Sequence, residues 1–395
     1  METPQGHAAP PSAARMDEVH AAEAASNRSK KRRTSPVGAT KPFYSQELKC
    51  CGGIVVRAHA CVSSAALHIA AERVRRMLLN CDTVRENLVR EGAELHIIGK
   101  DQPVSALPEH AHMRGIKGGY DRAQQLERLR EAHNGKEDAE LERKLKTIDE
   151  RGRGFGGLHC SCGEENLLDC ATDPRYGGRD ILSHEFAHTI MDFGLSARLR
   201  EQIQETYRKS VVEDGLWHRR GNGGPAYAAT NASEYFAELC MWWFGTHGEF
   251  TDFDNAYPTP GPGGLLEHDP RGFQLLSDIF SNRAENELVP ERVVLDPVTA
   301  PATHETTQTG PSTSIKFVNQ SEFTCEVAWL EQGVARPYST LPPYGIHTQH
   351  TYAGHLWAVK LAETGECRKF EAVAEPSVAH IVDGRLTAVG GTTAL

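Results

Sequence analysis

The segment Ile181-Leu182-Ser183-His184-Glu185-Phe186-Ala187-His188-Thr189-Ile190-Met191 constrains this chain of 395 residues more than any other. It holds no Gly or Pro and runs into Gly194, which predicts a helix with a C-terminal stop. On a helix His184 and His188 lie one turn apart on one face, so both imidazoles can reach a single Zn²⁺. Glu185 then sits beside the metal, placed to take a proton from water. The pattern H-E-x-x-H recurs by chance, so it needs support from elsewhere in the chain. A catalytic zinc takes three protein ligands and keeps one position open, and a third ligand should therefore lie on a nearby element. Residues Thr230 to Phe244 predict a second helix, capped by Asn231 and closed by Gly245. Glu234 and Glu238 share a face of that helix, among Phe236, Leu239, Trp242 and Trp243. Burial of those neighbours makes two idle carboxylates costly, so one glutamate is expected to bind metal. The competing account is a solvated edge of an amphipathic helix.

Together these blocks resemble the peptidase domain of anthrax lethal factor and its wider family of zinc peptidases. That family has an H-E-F-x-H helix followed by a Tyr-x-x-x-Asn-x-x-Glu-x-Phe-Ala-Glu segment. The chain matches with His184 to His188 and then Tyr227, Asn231, Glu234, Phe236, Ala237 and Glu238. The resemblance spans about residues 46 to 290 and is strongest from 153 to 245. It implies a mostly helical, zincin-type α+β domain in which Glu234 is the third ligand and Glu238 supports the site. It further implies that the Tyr227 hydroxyl stabilises the oxyanion of a tetrahedral intermediate. Those roles suit the chemistry, because developing charge on a scissile carbonyl is best met by a metal and one positioned donor. Glu185 would carry the proton to the leaving amine. Read without the resemblance, the competing account of Tyr227 is a core or turn tyrosine.

A net charge of −10 and a pI near 6.0 argue against broad nucleic-acid binding, which needs a basic face. The longest apolar runs, such as Leu239 to Phe244, fall far short of the roughly 18 residues needed to cross a bilayer. Met1 to Ala14 lacks a basic region followed by an apolar core, so no secretory signal is read there and an intracellular location is expected. Residues 1 to 45, poor in large apolar side chains, read as a disordered tail. Within it Lys30, Lys31, Arg32 and Arg33 form a basic run, either a solvated cluster or a nuclear-import-like signal. The ten cysteines read as reduced thiols. Cys160, Cys162 and Cys170 lack C-x-x-C spacing, which favours structural thiols over a second metal site.

A zinc-binding domain is assigned to residues 46 to 295. It opens with a strand at Ile54 to Val56 and a helix capped by Ser63 or Ser64 that carries Leu67, Ala70, Val74 and Leu78. Leu95, Ile97 and Ile98 suggest another strand. Residues 121 to 150, dominated by charge, predict a solvent-exposed flanking helix with no chemistry. Thr, Pro, Ala and Gly mark 296 to 312 as a linker. Beyond it, short apolar runs at Ile315 to Val318, Cys325 to Leu330 and Leu356 to Leu361 predict a small all-β sandwich over 313 to 395.

That unit resembles the β domain of the von Hippel-Lindau protein, from Trp329 through Tyr338-Ser339-Thr340-Leu341-Pro342-Pro343 to His350-Thr351-Tyr352-Ala353-Gly354-His355-Leu356-Trp357. The resemblance implies a pocket for hydroxyproline in an extended peptide, lined by Trp329, Tyr338, His350, Thr351, His355 and Trp357. Aromatic walls suit a pyrrolidine ring, and imidazole and hydroxyl groups suit its hydroxyl. Core packing of Trp329 and Trp357 is the competing account. The chain is accordingly expected to be a zinc endopeptidase of protein substrates whose β domain presents or selects peptides, with neither nucleic acid nor membrane as partner. The rival makes it an inactive scaffold that works through the β domain; the intact set His184, Glu185, His188, Tyr227 and Glu234 speaks against this.

Overall fold

The computed structural model describes residues 42–133, 137–169, 171, 173–218, 226–247, 259–298 and 310–382. The basic run at 30–33, Cys170 and most of the expected tail and linker lie outside these residues. At the tail's end the structure departs from expectation, because a strand begins at Tyr44 rather than after residue 45. The reason is the Tyr44 ring, which is buried and donates its hydroxyl to Glu109 at 2.8 Å.

The N-terminal half is built on a five-stranded sheet in the order β1-β2-β3-β5-β4. The strands are β1 (Tyr44–Cys50), β2 (Ile54–His59), β3 (Glu94–Ile98), β4 (Gly154–Phe155) and β5 (His159–Gly163). β2, β3 and β5 run parallel, while β1 and β4 flank them antiparallel at the edges. Ile54, Val56 and Ala58 alternate into the core. Against that face packs α1 (Ser64–Met77), capped by the Ser63 hydroxyl as the sequence predicts, while α2 (Asp82–Glu91) packs its Val84 and Leu88 against Gly194. The charged stretch forms three short helices, α3 (Arg122–Ala132), α4 (Asp138–Arg143) and α5 (Ile148–Arg151), rather than one. Leu141 and Ile148 are buried, which pins these pieces to the body.

After β5 the chain forms α6 (Glu164–Leu168) and α7 (Ile181–Thr189), which continues as a π-turn through Gly194. Then follow α8 (Ala197–Tyr207), α9 (Ala232–Trp243), α10 (Pro262–His268) and α11 (Pro270–Phe280). One core joins sheet and helices through Leu95, Ile97, Leu182, Phe186, Tyr235, Phe236 and Trp242. Cys160 and Cys162 point into it from β5, and burial raises both thiols above their ordinary range.

The C-terminal region is a sandwich of two sheets. One has the order β10-β7-β13-β6 and the other β12-β11-β8-β9. Their strands are β6 (Val293–Val294), β7 (Ser312–Asn319), β8 (Cys325–Glu331), β9 (Val334–Leu341), β10 (Ile346–Tyr352), β11 (Leu356–Leu361), β12 (Cys367–Glu371) and β13 (Ser377–Ile381). Phe317, Val327, Val359 and Phe370 fill the space between them. The mixed α+β class predicted for the chain is the class observed. No helix among the described residues is long and apolar enough to cross a membrane.

Candidate metal centre

α7 starts where its sequence demands. The Asp180 carboxylate accepts from the Ser183 amide and hydroxyl at 3.3 and 2.7 Å, while Asn166 accepts from the Ile181 amide at 2.9 Å. Arg73 braces Asp180 from α1 at 2.6 Å. β4 and the residue after it pass close along the same helix because the chain carries no side chain at two points. A Cβ at Gly154 would come 2.8 Å from Glu185 Cγ, and one at Gly156 would come 2.7 Å from His188 Cβ.

α9 lies across α7, its N-terminus capped by Asn231, whose side chain accepts from the Glu234 amide at 2.9 Å. This brings three donors together. His184 Nε2 is 3.1 Å from Glu234 Oε2, His188 Nε2 is 3.2 Å from His184 Nε2, and His188 Nε2 is 3.4 Å from Glu234 Oε2. A tetrahedral ion with bonds of about 2.0–2.1 Å sets its ligand atoms roughly 3.3–3.4 Å apart, so the observed separations match such a site. The far side of each imidazole is also held: His184 Nδ1 lies 3.0 Å from Glu238 Oε1, and His188 Nδ1 lies 2.8 Å from Ser233 Oγ. Outer contacts of this kind fix which ring nitrogen faces a metal.

Glu238 is buried and engaged from three sides. Besides His184, it accepts from Arg179 Nη2 at 2.6 Å and lies 2.9 Å from His247 Nε2. Its burial pushes its carboxyl up, but Arg179, His184 and His247 outweigh that and hold it well below the usual range. Burial likewise favours a neutral His184, yet the carboxylates of Glu234, Glu238 and Glu185 raise it to about 10. With Arg179 offsetting Glu238, the carboxylates of Glu234 and Glu185 beside two neutral imidazoles would leave a negative surplus that a divalent cation offsets. Glu185 itself is raised, chiefly by burial and against the pull of His184 and His188. Tyr227, on a 3₁₀ turn ahead of α9, donates to Glu234 Oε1 at 3.0 Å.

His184, His188, Glu185, Glu234, Glu238 and Tyr227, all named from sequence, therefore gather at one place. Sequence reasoning missed Ser233, Arg179 and His247. Ser233 precedes Glu234 and caught no attention as a hydroxyl; Arg179 and His247 arrive from loops, where no periodicity advertises them.

In the β sandwich, five of the six pocket positions converge. Trp329 stacks on His355 with ring centres 5.0 Å apart, and Tyr338 meets Trp357 edge-on at 5.0 Å. Trp357 Nε1 donates to Thr351 Oγ1 at 3.0 Å, and that oxygen lies 3.2 Å from His355 Nδ1. Trp329 Nε1 and His355 Nε2 are buried and have no hydrogen-bond partner among the described residues. Tyr338 is 52% exposed, so the group opens to solvent on its side. His350 departs from expectation. It follows the opposite face of β10 from Thr351, is exposed, and pairs with Ser312 Oγ at 2.8 Å. Strand alternation is the cause, since adjacent residues point to opposite sides.

Residues 307–372 match the VHL beta domain family. No curated protein matches the chain.

Proposed function

We propose that the chain is a zinc-dependent endopeptidase, held to its task by the convergence of His184 Nε2, His188 Nε2 and a Glu234 oxygen within 3.4 Å. That convergence is the observation that carries the reading, and the resemblance of residues 153 to 245 to lethal factor-like peptidases supports it. His184, His188 and Glu234 would hold the ion, which supplies Lewis-acid polarisation of the scissile carbonyl and acidifies water. Glu185 acts as base: its burial-raised carboxylate takes the water proton and passes it to the leaving amide nitrogen. The Tyr227 hydroxyl donates to the carbonyl oxygen as negative charge builds there. Glu238 and Ser233 fix the two imidazoles against rotation. β4, at the sheet edge beside Glu185, offers backbone groups to an extended substrate, as edge strands do.

Zinc content of the purified full chain and cleavage of a peptide pool test this together. Stoichiometric zinc with hydrolysis that disappears in Glu185→Gln is expected; a chain that takes up no zinc after reconstitution would sink the assignment.

The VHL beta domain match implies protein or peptide binding, and one observation favours a specific form. Trp329 Nε1 and His355 Nε2 are buried without partners at an aromatic wall, so a ring carrying a hydroxyl would satisfy them. Hydroxyproline in an extended peptide fits. The full chain should bind such a peptide about tenfold more tightly than its proline twin, and equal affinities would leave a general docking surface. If zinc and hydrolysis both fail while this binding holds, the chain works as a peptide-binding protein through its β domain.

A further inference from the structure

The charged stretch 121–150 shows no chemistry in the sequence, yet α3 brings Arg128 beside Tyr227, next to the converging His184, His188 and Glu234. The Arg128 guanidinium carbon lies 5.5 Å from the centre of the Tyr227 ring. That ring carries the phenolic hydroxyl of the site. Since that hydroxyl donates to Glu234 at 3.0 Å, a continuous line of contacts runs from exposed Arg128 to the three converging donors.

The helix that carries Arg128 is anchored. Gln125 Nε2 donates to the Gly118 carbonyl at 2.9 Å, and its Oε1 accepts from the Lys146 amide at 3.1 Å. The other arginines of α3 are spent within their own hairpin, Arg122 on Glu142 at 2.5 Å and Arg130 on Asp138 at 2.9 Å. Arg128 differs: among the described residues it forms no ion pair, and its partner is the Tyr227 ring. Cation–π contact with a tyrosine face holds a guanidinium in place without neutralising it. A guanidinium has five donors in a fork that matches a carboxylate, and Tyr227 occupies only part of that fork.

We infer that Arg128 is a specificity-determining residue that receives a carboxylate of the substrate within about two residues of the scissile bond, which makes acidic peptides the substrate class. This rests on the peptidase reading above. An extended chain advances about 3.3 Å per residue, so a side chain one or two positions from a carbonyl facing Tyr227 passes under the guanidinium. The carboxylate comes either from an internal Asp or Glu or from the free end of the peptide; the fork accepts both.

The test uses the full chain loaded with zinc and synthetic octapeptides made in pairs, Glu against Gln at each position, each with a free-acid or an amidated end. Cleavage is followed with the wild type, and binding is measured by calorimetry with Glu185→Gln. The Glu member of a pair should exceed its Gln twin about five- to tenfold in kcat/KM and in affinity, the range of a charge-assisted bond at a solvent-exposed rim. That ratio should fall to near one in Arg128→Ala, recover in part in Arg128→Lys, and turn against acidic peptides in Arg128→Glu. A preference that follows the free acid rather than Glu assigns the fork to the chain end. Equal ratios in wild type and Arg128→Ala overturn the proposal. So does a uniform loss of kcat with the ratio unchanged, which makes Arg128 a positioning residue for Tyr227. If no peptide is cut while binding still discriminates through Arg128, the carboxylate site stands and the peptidase reading falls. Cleavage without discrimination gives the reverse.

Discussion

At the scale of single residues, the proposed function divides the site into groups that would hold a metal and groups that would act beside it, and substitution should separate them. His184→Ala or Glu234→Ala removes one of three ligands, so metal content measured by mass spectrometry should drop, whereas Glu185→Gln should keep its zinc. Glu238→Gln should weaken zinc affinity by about 10–100-fold, because the far nitrogen of His184 loses its carboxylate. Tyr227→Phe should retain zinc and lose on the order of a hundredfold or more in kcat, with KM changing less. A change confined to KM would make Tyr227 a binding or packing residue. The convergence of these residues is legible because helix periodicity is local: residues four apart in the chain share a face wherever the helix goes. Arg128, Arg179 and His247 are not, since each is brought in from a distant loop or hairpin. His350 lies apart from the aromatic group although the signal is in the sequence, because its neighbour Thr351 turns toward that group and a strand cannot turn both the same way.

Among the elements, β4 is the least conspicuous in sequence and among the most consequential in space. Two residues long, it lies against α7 only because Gly154 within it and Gly156 just after it lack a Cβ. Gly156→Ala would drive a methyl to 2.7 Å from His188 Cβ, so strand and helix must part. The expected cost is about 1–3 kcal/mol in thermal or denaturant unfolding, together with weaker zinc binding. Gly152→Ala meets nothing closer than 3.5 Å and should stay within about 0.5 kcal/mol. Similar melting curves for the two variants would show that β4 yields easily and does not fix the site. The sequence announced β2, β3 and α1 through their apolar spacing. It concealed β4 because a two-residue edge strand has no period to read, and it showed the 121–150 stretch as one helix because its charges hide the anchors Leu141 and Ile148.

Over the whole molecule, sheet and sandwich meet at a buried polar knot. His96, with no exposed surface, lies 2.5 Å from Glu109 and 3.1 Å from Glu94, while Tyr344 of the sandwich packs its ring 5.1 Å from Tyr44 and 5.6 Å from His96. Burial favours a neutral His96, but the charge and hydrogen bond of Glu109, then Glu94, raise it to about 9. The stabilisation is complete below the unfolded value near 6.5 and fades as pH climbs through 9. Glu109, pulled down to about 2 by His96 against its own burial, contributes above its unfolded range and is lost as pH falls toward 2. Burial lowers His110 and His159 to about 4, so the unfolded chain takes up their protons first as pH drops below 6.5. Thermal stability should therefore peak near neutrality, and His96→Gln should flatten its decline between pH 7 and 9. An alkaline limb that this variant leaves unaltered would remove His96 as its source. Polar residues on a buried strand are poorly legible in sequence, because Glu94 and His96 read as surface until their partners are placed. The sandwich holds one more lesson for anyone who would cut it free. Val293 and Val294 pair with β13 ahead of the expected linker, Leu295 is buried in the sandwich core, and the Val298 amide donates to the Lys369 carbonyl at 2.8 Å. A fragment begun at residue 313 would leave the outer edge of β13 bare and prone to sticking to its own kind, whereas one begun near 291 would take its selvedge with it.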